Sequence, residues 1–236
     1  MPIYTDAVFA PIDLDHALER LAGSNETEVY RTDDGRYVVK LKADGGGSVA
    51  VAQRLACEMR DAAAGFAACL RPQHSIPSEY IVARDTHQHA QVLVIQPLLH
   101  DARPLYDLDY HALSGAERAA VATQLREIIA RSLRFYRATG SMPDLYGRAS
   151  ASAIERRRNN SLLLLPQRMW SFVVQRNLLR SHNLMRAADG QIVLVDYDIV
   201  RRGRLYRQLY YAVRWMRFWR DHALVLLMRK GSAVPR

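Results

Sequence analysis

The 236 residues, 49% apolar and 24% charged, have the balance of an ordinary globular protein and suffice for one or two domains; wholesale disorder, a collagen-like repeat and a disulfide-built miniprotein are excluded. No run nears the ~18 consecutive apolar residues of a membrane-spanning helix, no basic segment leads into an apolar one at the N-terminus, and Cys57 and Cys69 are too few for a disulfide framework. A reducing cytoplasm is the expected compartment, although a bacterial protein exported into a host would read the same. The net charge is +9, and only Lys40, Lys42 and Lys230 among the 33 basic residues are lysines. Such an arginine excess follows from GC-rich coding, and it also attracts phosphates, nucleic acid or an acidic membrane.

In chain order, residues 14–22 read as a short helix or the entry to a strand, ending in the polar turn Gly23-Ser24-Asn25-Glu26. Residues 27–31 alternate as a strand, Asp33-Asp34-Gly35 is a hairpin turn, and residues 37–42 form the return strand. Residues 48–70 are rich in alanine, with Val51, Leu55 and Met59 at helical spacing, and Pro72 and Pro77 break that helix. Residues 79–84 and 91–99 read as two more strands, with His87, Gln88 and His89 in the turn between them. Ser114 and Glu117 form a capping box that opens a long helix carrying Val121, Leu125, Ile128, Ile129 and Tyr136 and closing at Thr139-Gly140. A loop follows, Met142 to Gly147, then an arginine-rich segment with apolar islands over 148–181. A short hairpin over 182–195 turns at Asp189-Gly190, and the last 38 residues, after Asp198, form one or two basic amphipathic helices.

Four features carry chemistry. The turn after Gly23, with Ser24 and Asn25, can bring backbone N–H groups to phosphates, or it is an ordinary hairpin turn. Lys40, behind Val38 and Val39 on a strand, points to solvent or into a cleft. Glu58, 18 residues later on a helix, is a partner for Lys40 or a surface carboxylate. Asn183 and Asp196, thirteen residues apart at the ends of a hairpin, are an amide and a carboxylate that can share Mg²⁺, which takes oxygen ligands and few from the protein.

The order of these features resembles the protein-kinase-like superfamily, whose pattern is a V-A-I-K strand, a helix glutamate, a catalytic loop ending in asparagine, and D-F-G. Here the matching residues are Val38-Val39-Lys40, Glu58, His182-Asn183-Leu184-Met185 and Val195-Asp196-Tyr197-Asp198. The resemblance covers about residues 20–200 and is nearer to small bacterial antibiotic and small-molecule phosphotransferases than to eukaryotic protein kinases. It implies an α+β, two-lobed fold: an antiparallel-sheet N-lobe over 1–99 and a mostly helical, shortened C-lobe over 100–236. It further implies ATP and Mg²⁺ as cofactors and transfer of the γ-phosphate to a hydroxyl on a small molecule, lipid or protein. Lys40 would hold the α- and β-phosphates and Glu58 would orient it. Gly23, Ser24 and Asn25 would cover the phosphates, Gln96 to Leu98 would meet adenine through backbone groups, and Asn183 and Asp196 would bind the metal.

One departure matters most. The family's catalytic aspartate lies five residues before the asparagine, where this chain has Leu178, and Asn177 precedes it. The nearest suitable carboxylate upstream is Asp144, just past the long helix, where the family's catalytic loop begins. Either Asp144 is the base and 148–181 is an insertion in the catalytic loop, or the chain is a catalytically inactive, kinase-like binding protein. Asp198 stands where D-F-G has glycine, and no A-P-E signature follows. In the tail, Leu205, Leu209, Val213, Met216 and Ala223 keep helical spacing while Arg207, Arg214 and Arg217 fall on another face. That pattern predicts a core helix with a solvated arginine face, or a surface for acidic lipid or another anionic partner. Nucleic acid is not an expected partner, because no fold motif for it accompanies the charge.

Overall fold

The structure, a computed structural model, describes residues 4–8, 18–23, 27–42, 47–84, 89–147, 177–197 and 204–231. The turn residues Ser24 and Asn25, Asp198, and most of the arginine-rich segment (148–176) lie outside the described residues.

The fold is α+β. Six strands, β1 (Tyr4–Val8), β2 (Leu18–Gly23), β3 (Thr27–Thr32), β4 (Tyr37–Lys42), β5 (Glu79–Arg84) and β6 (Ala90–Pro97), form one sheet in the order β1-β5-β6-β4-β3-β2. All its pairings are antiparallel except β1 with β5, which is parallel. Residues 18–23 are therefore strand throughout, and β1 is an element the sequence pattern did not announce. The β3–β4 hairpin closes as its residues require. Gly35 takes φ +65° and donates its N–H to the Thr32 carbonyl at 2.9 Å, while the Asp34 carboxylate accepts from the Thr32 hydroxyl and the Arg36 N–H.

Helix α1 (Val49–Leu70) follows β4. It buries Ala52, Leu55, Ala56, Met59, Ala63, Phe66 and Leu70, a stripe at helical period. Val51, expected on that stripe, is exposed; the buried face starts one residue later. The helix stops where Arg71 turns to φ 69° ahead of Pro72, whose ring cannot continue the ladder.

By compactness the chain divides into two units. The first holds the sheet and the described residues up to Ala64; the second holds Gly65–Ser75, His100–Gly147 and the described residues beyond Leu165. In the second unit a small sheet, β7 (Arg103–Pro104), β8 (Leu184–Arg186) and β9 (Ile192–Leu194), accompanies two long helices, α2 (Gly115–Thr139) and α3 (Arg204–Gly231). The α2 capping box is made from both sides: the Ser114 hydroxyl accepts from the Glu117 N–H, and the Glu117 carboxylate accepts from the Ser114 N–H. Gly140 ends α2 in the left-handed conformation, its N–H on the Tyr136 carbonyl. Val121, Leu125, Ile128 and Ile129 are buried as the periodicity predicted, whereas Tyr136 is half-buried. Buried His74, in the 3₁₀ turn after α1, joins its ring Nδ1 to the Ile192 carbonyl at 2.8 Å and so fastens that turn to β9.

Helix α3 reverses its expected orientation. The residues buried along it are Tyr211, Arg214, Arg217, Phe218, Asp221 and Val225. Leu205, Leu209 and Met216, predicted to face the core, are exposed, and Arg214 and Arg217, predicted to be solvated, are inside, while Arg207 is exposed as predicted. Among the described residues no helix is long and apolar enough to cross a membrane.

Candidate active site

Two neighbouring loops in the second unit carry the site. Residues 142–147 leave α2 with Met142 and Leu145 buried, which fixes the backbone around Asp144. Residues 177–183 run beside them. The Asn183 side chain donates from Nδ2 to the Asp144 carbonyl at 2.8 Å. The buried Ser181 hydroxyl donates to the Leu145 carbonyl at 2.5 Å, and the His182 N–H donates to the Tyr146 carbonyl at 3.0 Å. Three bonds thus bring together residues nearly forty positions apart. Gly147 completes the fit. It sits at φ +60°, and a Cβ there would lie 2.1 Å from Asn183 Oδ1, so only glycine lets the loop pass this close.

The hairpin then delivers Asp196. The Val195 N–H donates to the Asn183 carbonyl at 2.9 Å, extending the β8–β9 pairing by one step and setting half-buried Asp196 next in line. The donor to Asp144 fixes which end of the Asn183 amide is nitrogen and leaves Oδ1 as an oxygen donor that accepts no hydrogen bond among the described residues. One amide oxygen and one carboxylate suit a hard cation such as Mg²⁺, which completes its shell from water and phosphate. Among the described residues no cluster of three or more His, Cys, Asp or Glu is gathered.

Asp144 has an unforeseen partner. Arg214 of α3, 4% exposed at its side chain, places Nη1 2.7 Å from Asp144 Oδ1, and the same oxygen accepts from the N–H groups of Tyr146 (3.0 Å) and Gly147 (3.3 Å). No hydrogen bond from a described residue reaches Oδ2, and the Asp144 side chain keeps 26% of its surface open. Burial works against its charged form, but the Arg214 charge and the two backbone donors prevail and hold the carboxyl down at about 2. Around this pair, Arg214 also donates to the Tyr210 hydroxyl, and the Tyr146 hydroxyl donates to Asp221 Oδ2 at 2.5 Å. The Arg217 guanidinium lies 4.0 Å over the Tyr146 ring, and Arg220 donates to Asp221 Oδ1 at 2.7 Å. Burial raises the Asp221 carboxyl and the Tyr146 hydroxyl.

Leu178 is fully buried, and Asn177 caps the 3₁₀ turn that follows it, its Oδ1 accepting from the Arg180 N–H at 3.0 Å. Both positions where an unshifted loop would carry its base are occupied by structural side chains.

The first unit carries the remaining expected residues. Lys40 lies on β4, with Val29 opposite on β3 and Val94 on β6, and is half-buried. Gln96, opposite Val38, shares that sheet face by the two-residue period of strands and is buried, its Nε2 donating to the Ser78 hydroxyl at 2.8 Å. The Leu98 N–H donates to the Arg36 carbonyl at 2.9 Å, which commits the amide that was expected to meet adenine. Gly23 ends β2, paired with Glu28. Glu58 stands on the exposed side of α1, next to buried Met59.

Tyr146 and Asp221 went unread in the sequence, and Arg214 was read as part of a solvated face. One signal was there: Asp221 is the only carboxylate in the arginine-rich stretch 204–231.

No family model and no curated protein matches the chain. Solved structures do, in fold: a pseudokinase in apo form (8% identity, all of this chain against 70% of that one, TM-score 0.43), and drought responsive inactive kinase 1, also a pseudokinase (9%, 98% against 72%, TM-score 0.45). A third is the aminoglycoside phosphotransferase APH(3'')-Id of Streptomyces rimosus (15%, 93% against 85%, TM-score 0.39).

Proposed function

We propose that the chain is a kinase-like, Mg²⁺- and ATP-dependent phosphotransferase that passes the γ-phosphate to a hydroxyl-bearing acceptor. The observation that carries this reading is the hydrogen bond from the Asn183 amide to the Asp144 carbonyl. It sets the backbone of Asp144 beside Asn183, although the sequence separates them by an intervening segment, and so supports reading Asp144 as the carboxylate of the site. Asn183 Oδ1 and Asp196 would hold Mg²⁺, which neutralises phosphate charge when bound, and Lys40 would hold the phosphates nearer the nucleoside. Asp144 turns Oδ1 to its own protein and offers Oδ2 to the acceptor hydroxyl. With its carboxyl held at about 2 it is a weak base. Its work is to orient the hydroxyl, and the proton follows late, as a loose phosphoryl transfer allows.

A second reading, a catalytically inactive kinase-like binding protein, is favoured by the ion pair itself, because Arg214 neutralises the charge that an acceptor would meet. Two variants separate them. Asp196→Ala abolishes the thermal stabilisation by Mg·ATP, which for saturation at 100 times the dissociation constant amounts to about 2.7 kcal/mol. Asp144→Asn lowers turnover roughly 10²- to 10⁴-fold with Mg·ATP binding retained, and Asn177→Ala does much less. Binding without turnover in the wild type, unchanged by Asp144→Asn, establishes the second reading; no stabilisation by millimolar Mg·ATP refutes the first reading and any form of the second that binds ATP.

A further inference from the structure

Asp144 is held by a side chain that has anchors of its own. The Arg214 Nη1 that meets Asp144 Oδ1 at 2.7 Å also donates to the Pro143 carbonyl at 3.4 Å, and Nη2 donates to the Tyr210 hydroxyl, one turn back on α3. The guanidinium carbon lies 4.3 Å from the centre of the Tyr210 ring and 5.7 Å from that of Tyr146, both within the range of a cation–π contact. The Tyr146 ring is fixed in turn by its hydroxyl on Asp221. The bonds to Pro143 and Tyr210 and the two ring contacts do not involve the Asp144 side chain, so the place of the cation does not depend on the carboxylate.

A buried ion pair is a poor way to gain stability, since an apolar side chain of similar volume often serves as well. What this pair does is geometric. Buried Met142 and Leu145 fix the main chain around Asp144, which leaves the carboxylate only its side-chain torsions. Oδ1 takes three donors, Arg214 Nη1 and the N–H groups of Tyr146 and Gly147; together they set those torsions and turn Oδ2 away from the donors. The planar fork of arginine meets Asp144 with one nitrogen and Tyr210 with the other, whereas a lysine ammonium would supply the charge without the fork.

We infer that Arg214, braced by Tyr210, is a positioning residue for phosphotransfer: it aims Asp144 Oδ2 at the acceptor hydroxyl. This role rests on the phosphotransfer reading, and it makes the ion pair part of a working site rather than a block on one. It is tested on the full chain by following phosphate release from Mg·ATP with water as the acceptor. Arg214→Lys lowers kcat roughly tenfold to a hundredfold, the cost of displacing a reacting group by about 1 Å, and leaves the KM for Mg·ATP unchanged. Tyr210→Phe keeps the ring beside the guanidinium, removes the hydroxyl, and lowers kcat about three- to tenfold. In an Asp144→Asn background both losses disappear, because the group being aimed is gone. Circular dichroism at the assay temperature checks folding, and should Arg214→Lys fail to fold, Tyr210→Phe decides by itself. Wild-type kcat in the folded variants, a raised kcat, or the same losses without the Asp144 carboxylate overturns this role while phosphotransfer stands. A wild type that binds Mg·ATP and releases no phosphate overturns the phosphotransfer reading itself, and this role with it.

Discussion

Helices α2 and α3 pack against each other in the second unit, yet they bury opposite kinds of residue. Helix α2 turns inward Val121, Leu125, Ile128 and Ile129, the stripe its periodicity announces. Helix α3 turns inward two arginines and an aspartate between Tyr211, Phe218 and Val225, and leaves its best apolar stripe outside. The difference follows from what each helix faces. The inner face of α3 looks onto the loop carrying Asp144 and Tyr146, and a carboxylate and a phenol sunk there require cations and acceptors within reach. Burying α3 by its apolar stripe would have left those groups unmatched.

The sharpest way to break this comparison is to remove one member of the buried network. Arg214→Met leaves the Asp144 carboxylate facing a protein wall without its counter-charge. The expected loss is about 3–5 kcal/mol in chemical denaturation, the range for half of a buried ion pair. Adding Asp144→Asn to it restores much of that loss, because both charges are then gone. Strictly additive losses would mean that packing rather than charge holds α3 in place.

In α2 the matching experiment is Ile128→Ala, expected to cost about 2–5 kcal/mol through the cavity alone and to be indifferent to Asp144→Asn. Next in size is the dependence on acid. The Asp144 carboxyl is depressed to about 2 in the folded chain, so it contributes stability that is complete above its unfolded value of 3.8 and is lost as pH falls towards 2. The contribution is about 2 kcal/mol. In Arg214→Met the stability curve between pH 4 and 2 flattens relative to wild type. An unchanged slope would show that Arg214 does not set this titration.

The smaller effects test the ends and the outside. Ser114→Ala removes the hydroxyl that accepts from the Glu117 N–H, leaves the bond donated by the backbone N–H at 114, and costs about 1 kcal/mol in thermal unfolding. Leu209→Ser on the outer face of α3 changes stability by no more than about 0.5 kcal/mol. A loss several times larger would mean that the stripe is packed in solution.

Wherever local pattern and burial agree, the sequence alone was a sufficient guide. The β3–β4 hairpin follows from Asp33-Asp34-Gly35, the start of α2 from Ser114 and Glu117, and the stop of α1 from Pro72, since each is a matter of backbone geometry within a few residues. The closing of β8 on β9 around Asp189-Gly190 is of the same kind, the Gln191 N–H resting on the Asp189 carboxylate. That Asn183 and Asp196 stand at the two ends of one short hairpin was legible from their spacing. The partner loop of Asn183 could not be fixed, because the bond to Asp144 spans nearly forty residues and depends on Gly147 passing against the amide. The face of α3 could not be fixed either. Periodicity locates an apolar stripe, but whether that stripe or the arginines go inside depends on which charges the neighbouring chain has already buried, and only the tertiary structure sets Arg214 against Asp144 and Asp221 against Tyr146.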